Sequence, residues 1–306
     1  MLDIRNVASA NESFSLPAMT ATPLPVTVLG SINMDIVMQV ESLPRPGETT
    51  LVSHSAHHPG GKGANQAVAA ARMGARVAML GAVGSDPFGD SMIAVLRAEG
   101  IDVSGIARHV DHPTGTAHIA VDARGENLIL VAGGANRHVA IRPGGGAAVR
   151  VAQLEMPVGA VARFLHGEGT TILNAAPFVA GARPIFAQCD IIVVNEVELA
   201  GYADAGDDIP AMARGLLCRE GQTIIVTLGA EGAIAVSADG LIKVPAAPAK
   251  VVDSTGAGDC FCGVLAASIA AGMPIETAMR RAARAAALAV SKAGAIPSLP
   301  FARDVA

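Results

Sequence analysis

Aromatic residues are scarce in this chain, whose 306 residues include no tryptophan, one tyrosine and seven phenylalanines. That scarcity removes the stacking platforms on which single-stranded nucleic acids and many nucleobase sites depend. Charge is thin as well: 22 basic residues against 27 acidic ones leave a net charge of −5 and no basic footprint for nucleic acid. No apolar run is long enough for a membrane. The longest uncharged stretch of helical character, Cys260 to Ile275, is bounded by Asp259 and Glu276 and falls short of the ~20 residues that a span requires. Residues 1–25 carry Asp3, Arg5 and Glu12 and no continuous apolar core, so they do not read as a secretory signal; they read as a polar extension and a candidate for disorder. The four cysteines, Cys189, Cys218, Cys260 and Cys262, have no metal spacing and suit a reducing compartment, the cytoplasm, as packing residues.

What the chain does have is apolar mass. Hydrophobic residues make up 51% of it, charged residues only 16%, and the mean hydropathy is +0.44, which describes a well-buried globular protein with small molecules as its expected partners. Short apolar strands alternate with helices: strands at Val26 to Gly30, Val77 to Gly81, Arg150 to Leu154, Thr171 to Asn174, Asp190 to Val194 and Thr223 to Leu228, and helices at Ala64 to Met73, Phe88 to Glu99 and Val158 to His166. Ala233 to Val244 reads as a hairpin turning at Asp239-Gly240, and Cys260 to Ile275 as a buried helix. Two segments break the rhythm. Thr116 to Asp122 and Asn127 to Ala132 flank a glycine-containing turn, and with a strand at Thr49 to Ala56 they predict a small antiparallel sheet, a lid built from about 36–57 and 115–132. The expected fold is α/β over 26–306: a central, mostly parallel sheet flanked by helices, with a small antiparallel β lid.

The chemistry concentrates in Asp253-Ser254-Thr255-Gly256-Ala257-Gly258-Asp259. Gly256 and Gly258 allow a turn with bared N–H groups at a helix start, a place that attracts anions. An acid there repels an anion, so Asp259 makes sense if it takes a proton beside a phosphoryl group; taken by itself, the loop is equally well read with Asp259 as the cap of the helix. Upstream, Asn33 and Asp35 sit two residues apart on one strand face, suited to sugar hydroxyls. Pro59-Gly60-Gly61-Lys62-Gly63-Ala64-Asn65-Gln66 is not a P-loop, since Ala56 stands where the first glycine is needed and Gly63 where a Ser or Thr should follow the lysine. It offers close backbone approach with Lys62 and Asn65 facing a ligand. His54, His57 and His58 lack carboxylate or thiolate company and are not read as a metal site. Glu155, Asn195 and Thr227 with Gly229 fall at strand ends, the edge where open parallel sheets bind ligands.

Gly60 to Gln66, Asn195-Glu196-Val197-Glu198 and Asp253 to Asp259 occur in the order found in the ribokinase, or PfkB, family of sugar kinases, and the chain resembles that family from about Val26 to about Pro300. Ser31 to Asp35, Gly133-Gly134-Ala135-Asn136 and Gln153-Leu154-Glu155 are most similar to members acting on ribose. The resemblance implies that Asn33, Asp35, Gly61, Lys62, Asn65 and Glu155 hold a pentose and that Asp259 takes the proton of its O5 hydroxyl. It implies that Gly256, Ala257 and Gly258 stabilise the transferred phosphoryl of ATP, that Asn195, Thr227, Gly229 and Gly258 contact the nucleotide, and that Glu198 organises Mg2+ through water. It further implies a K+ ion held by Asp253 and Ser298 and by the carbonyls of Thr255, Val290, Ala293 and Ala295, and a homodimer formed through the lids. Two positions depart from the family: Ala283 replaces the usual Asn or His beside adenine, and Ser254 replaces Thr. The expected activity is ATP-dependent phosphorylation of D-ribose at O5. The alternatives are a kinase of a nucleoside, deoxyribose or fructose, disfavoured for nucleosides by the lack of aromatics, and a non-catalytic sugar-binding regulator, disfavoured by the complete 256–259 set.

Overall fold

The computed structural model describes residues 25–139 and 147–305. The expected N-terminal extension therefore lies outside the described residues except for Pro25. In chain order the first elements are β1 (Val26–Leu29), β2 (Asn33–Gln39), β3 (His54–Gly60), α1 (Lys62–Arg72), β4 (Val77–Gly84), α2 (Pro87–Ala98), β5 (Asp102–His109), β6 (Gly115–Val121) and β7 (Asn127–Ala132). There follow β8 (Val149–Ala152), α3 (Val158–Leu165), β9 (Thr170–Asn174), β10 (Ile191–Asn195), α4 (Glu196–Tyr202), α5 (Ile209–Gly215) and β11 (Thr223–Thr227). The chain finishes with β12 (Ala233–Ser237), β13 (Gly240–Val244), α6 (Ala257–Ala270), α7 (Ile275–Ala289) and α8 (Ala302–Val305).

The larger sheet has the order β13-β12-β11-β10-β9-β8-β1-β4-β5, parallel from β11 to β5 and closed at its other edge by the antiparallel hairpin β12–β13. Successive strand residues point to opposite faces, and both faces are buried. Val28, Val151, Ile172, Val193 and Ile225 join one core with α1, α2, α6 and α7, while Leu29, Ala152, Leu173, Val194 and Val226 join a second with α3 and parts of α4 and α5. From β1 the chain runs outward through β4 and β5 on one side and through β8 to β11 on the other. The strand order thus reverses between β1 and β8, which opens a crevice at their carboxyl ends.

The smaller sheet has the order β3-β2-β6-β7; its outer pairings are antiparallel and its central pair, β2 with β6, is parallel. The third strand sits later than expected, at His54–Gly60 rather than Thr49 to Ala56. Pro59 suggests a break, but β3 is an edge strand, where a missing N–H is tolerated. One strand comes unannounced by the sequence and two further expectations are corrected. A strand, β5, occupies Asp102–His109; its largely polar edge position gives no apolar run to read. The helix expected over Cys260 to Ile275 ends at Ala270, where Gly272 turns the chain at φ 76°. Cys218 is exposed, with its sulfur 2.9 Å from Nη1 of Arg183, whereas the other three cysteines are buried.

Candidate functional site

The crevice is built by close backbone approach. Gly61 adopts φ 92° as the N-cap of α1, and a Cβ there would lie 2.8 Å from Asn33 N and Ser31 O. A Cβ on Gly63 would meet the backbone of Gly30 and Ser31. These glycines let the start of α1 lie against the β1–β2 link, so Lys62 and Asn65 face the residues that leave β1. On the opposite side Gly263 of α6 packs against Gln66 O and the Ala69 side chain of α1. That contact carries the first turn of α6, with Asp259, over α1.

Asp259 does not cap its helix. Its Oδ2 accepts from Asn65 Nδ2 and its Oδ1 from Gln66 Nε2, both at 2.9 Å, while the N-cap is Gly256 at φ 75°. Burial pushes its pKa up, and Lys62, Asn65 and Gln66 pull it back. Lys62 lies 3.7 Å from Glu155 Oε1. Burial works against the Lys62 charge, but Asp259, Glu155 and Glu198 outweigh it and hold the ammonium above its ordinary pKa. Asp35 is strongly perturbed: burial, then Glu155 and Asp259, push it up to about 7 against the pull of Lys62. Its carboxylate fills the space beside Gly60 where any side chain would collide. Asn33, Asp35, Gly61, Lys62, Asn65, Glu155 and Asp259 are thus brought together, three carboxylates around one ammonium with amides between them. Such a set offers donors and acceptors to a polyhydroxylated ligand.

Four residues of this cluster have no role assigned by the sequence pattern. Ser31 Oγ donates to Glu155 Oε2 at 2.5 Å, and Asn136 Nδ2 donates to Asn33 Oδ1 at 2.7 Å while its own Oδ1 accepts from Ile32 N at 3.0 Å. Gln153 donates to Gln66, which donates to Asp259. The polar alternation 31, 33, 35 and the amide after the Gly133-Gly134 pair were the available signals.

Beyond Asp259 lies a second space, a cavity of about 510 Å3 lined by Thr227, Gly229, Ala257, Gly258, Ala283 and further residues that are mostly small, with Phe261 among them. Ala283, the departure from the family pattern, is therefore on its wall. Asn195 is not on that wall; it pairs in register with Thr227 and caps α4. Asn195 Oδ1 accepts from Glu198 N at 2.8 Å and Glu198 Oε2 accepts from Asn195 N at 2.9 Å, so the Asn-x-x-Glu motif is a reciprocal capping box. Burial pushes Glu198 above the usual carboxylate range, opposed by the Asn195 N–H and Lys62.

The segments expected to hold potassium also meet. Asp253 accepts from Thr255 N at 2.9 Å and from Gly294 N at 2.8 Å, and Ala295 packs against Gly256. The carboxylate therefore does cap local N–H groups, and among the described residues no ammonium or guanidinium pairs with it. Against the cost of burial, Thr255 and Gly294 hold Asp253 below the usual carboxylate range. Val290 O accepts from Val252 N at 2.8 Å, and Ser298 Oγ donates to Ala295 O at 2.8 Å.

Comparison with known proteins places the chain in a family. The model of the pfkB family carbohydrate kinases matches residues 25–143 and 161–302. The chain is 36% identical over 305 residues to the ribokinase of Schizosaccharomyces pombe, covering 92% of this chain and 96% of that protein. It is 34% identical over 294 residues to the deoxyribokinase of Salmonella typhi, covering 90% and 96%. The structure of Arabidopsis thaliana ribokinase complexed with ribose and ATP superposes with a TM-score of 0.83 at 28% identity, over 92% of this chain and 97% of that one.

Proposed function

The chain belongs to the pfkB family of carbohydrate kinases, and from that membership we propose that it phosphorylates D-ribose at O5 with ATP, giving ribose 5-phosphate. The observation that carries the reading is the place of Asp259: a buried carboxylate on the first turn of α6, between the amide and carboxylate cluster and the small-residue cavity. A binding protein needs no base at that junction.

In this reading Asn33, Asp35, Gly61, Lys62, Asn65 and Glu155 hold the sugar, and ATP enters the cavity with Thr227, Gly229 and Gly258 against it and Asn195 nearby. Asp259 accepts the O5 proton as O5 bonds to the γ-phosphorus and the bond from phosphorus to the ADP oxygen breaks. The N–H groups of Gly256, Ala257 and Gly258 lie at the N-terminus of α6, where negative charge on the moving phosphoryl is favoured. Mg2+, held through water at Glu198, would neutralise phosphate charge; the residue fits, because the capping box engages Oε2 and leaves Oε1 to accept from a metal-bound water. K+ would supply the positive charge that Asp253 lacks, and the fit is the meeting of the Asp253–Thr255 and Val290–Ser298 segments, with Ala293 among them. The smaller sheet serves as the lid over the sugar, and its exposed strand β7 as the surface of a homodimer. No helix among the described residues is long and apolar enough to cross a membrane, and the free cysteines support a cytoplasmic setting.

The test is a coupled assay of ADP release over ribose, 2-deoxyribose, fructose and nucleosides. Ribose is expected to give the highest kcat/KM. Preference for 2-deoxyribose would move the chain toward its deoxyribokinase relative, and no turnover with any of them would overturn the reading.

A further inference from the structure

Contacts facing the sugar account for only one oxygen of the base. Oδ2 of Asp259 accepts from Asn65, a residue of the sugar cluster. Oδ1 accepts from Nε2 of Gln66, which has no exposed surface. Gln66 in turn accepts, through Oε1, the Nε2 of Gln153 at 2.6 Å, and Gln153 is as fully buried. An amide has one donor end and one acceptor end, so the bond from Gln153 decides which end Gln66 turns to the carboxylate. Rotated by half a turn, Gln66 would set a carbonyl oxygen against Asp259. Either orientation would tie α1 to the end of β8; only this one aims an N–H at the base. The direction is kept although Oε1 of Gln153 is left buried without a hydrogen-bond partner.

Resting on the sugar-kinase reading, we infer that Gln66 and Gln153 are positioning residues for phosphoryl transfer: a two-amide relay that pins Oδ1 of Asp259 and leaves Oδ2, on the Asn65 side, to take the O5 proton. The proton passes from O5 to Oδ2 while O5 bonds to phosphorus and the ADP oxygen departs with the electron pair of its broken bond. Lys62, Glu155, Asp35 and Glu198 also set the charge around Asp259, so the relay is probed by changing the two neutral residues alone.

Gln66→Met keeps the length of the side chain and removes its N–H. Loss of a donor to the ionised base is expected to raise the pH below which kcat falls by about one unit. At the optimum kcat drops about ten-fold, with the KM for ribose within about two-fold. Gln153→Met, which touches neither base nor sugar, moves the acid limb in the same direction by less, and the double variant moves it no further than Gln66→Met. Should Gln66→Met not fold, Gln153→Met carries the test. Titration of the Asp259 carboxyl by 13C NMR, assigned with Asp259→Asn, needs no turnover and is expected to shift upward in both variants. An unmoved titration, or pH profiles that superpose on the wild type, overturns the relay. A shifted titration in a chain that phosphorylates no sugar upholds the contact and overturns the kinase reading instead.

Discussion

In the proposed reaction Asp259 would have to be buried, to meet the phosphoryl group away from water, and yet ionised, to take a proton. Burial pulls against ionisation, and Lys62, Asn65 and Gln66 oppose it. Asp259→Asn keeps the shape and removes the basicity, so ribose binding by calorimetry should stay nearly intact while kcat falls at least ~100-fold. Comparable turnover would end the assignment. Asp35 makes the opposite case. Its folded-state pKa of about 7 lies above the ordinary 3.8, so the native chain holds this proton more tightly than the unfolded chain does. The contribution of Asp35 to stability is therefore full at acid pH and is lost as pH rises toward 7. Asp35→Asn should gain about 1 to 3 kcal/mol in denaturant unfolding at pH 8 and little at pH 4, while weakening the sugar site. An equal gain at both pH values would contradict the shift. Sugar hydroxyls donate to the ionised form, so ribose binding at pH 6 should release a proton. Calorimetry in buffers of different ionisation enthalpy would detect it, and Asp35→Asn should remove most of it.

The loop at 253–258 and the turn at 294–298 behave as one element, since Asp253 bonds across them and Ala295 seats Gly256. In the proposed reaction a monovalent cation there would act by fixing the backbone at the N-terminus of α6, where the phosphoryl would pass. Potassium titrated against tetramethylammonium at constant ionic strength and saturating ribose should raise kcat more than it lowers KM, with sodium weaker. A flat rate would rule the cation out. How legible each element is in the sequence follows from its place in the sheet. Runs of isoleucine and valine are readable where both faces are buried, as in Ile191–Asn195 and Thr223–Thr227. At the edges, Asp102–His109 and His54–Gly60 carry polar residues and a proline, so β5 escapes a pattern of apolar runs and β3 is expected too early. The sugar cluster is legible because glycines and acids announce themselves. Ser31, Gln66, Gln153 and Asn136 acquire their parts through partners more than eighty residues away, Ser31 taking the Gly63 N–H as well, and a local pattern does not say which partner each will meet.

At the scale of the molecule the unfinished surface is β7. Ile129, Leu130 and Val131 are 52%, 63% and 55% exposed on a sheet edge, an apolar strip that calls for cover. Two copies pairing through these lids would supply it, and light scattering at micromolar concentration should find a dimer that Leu130→Glu dissociates. A wild-type monomer would count against it. The sheet also divides the site: the residues of the amide and carboxylate cluster come mainly from the first half of the chain, up to Glu155, and the cavity from Thr227 onward. Asn65 and Asp259 meet across 194 residues of sequence. A ribosome that has released everything before Gly256 has therefore made most of the proposed sugar-binding surface without the carboxylate proposed as its base. In the proposed reaction the newborn chain has no means to transfer phosphate until α6 has been made and has come to rest on α1, so turnover itself certifies that these two distant segments have met.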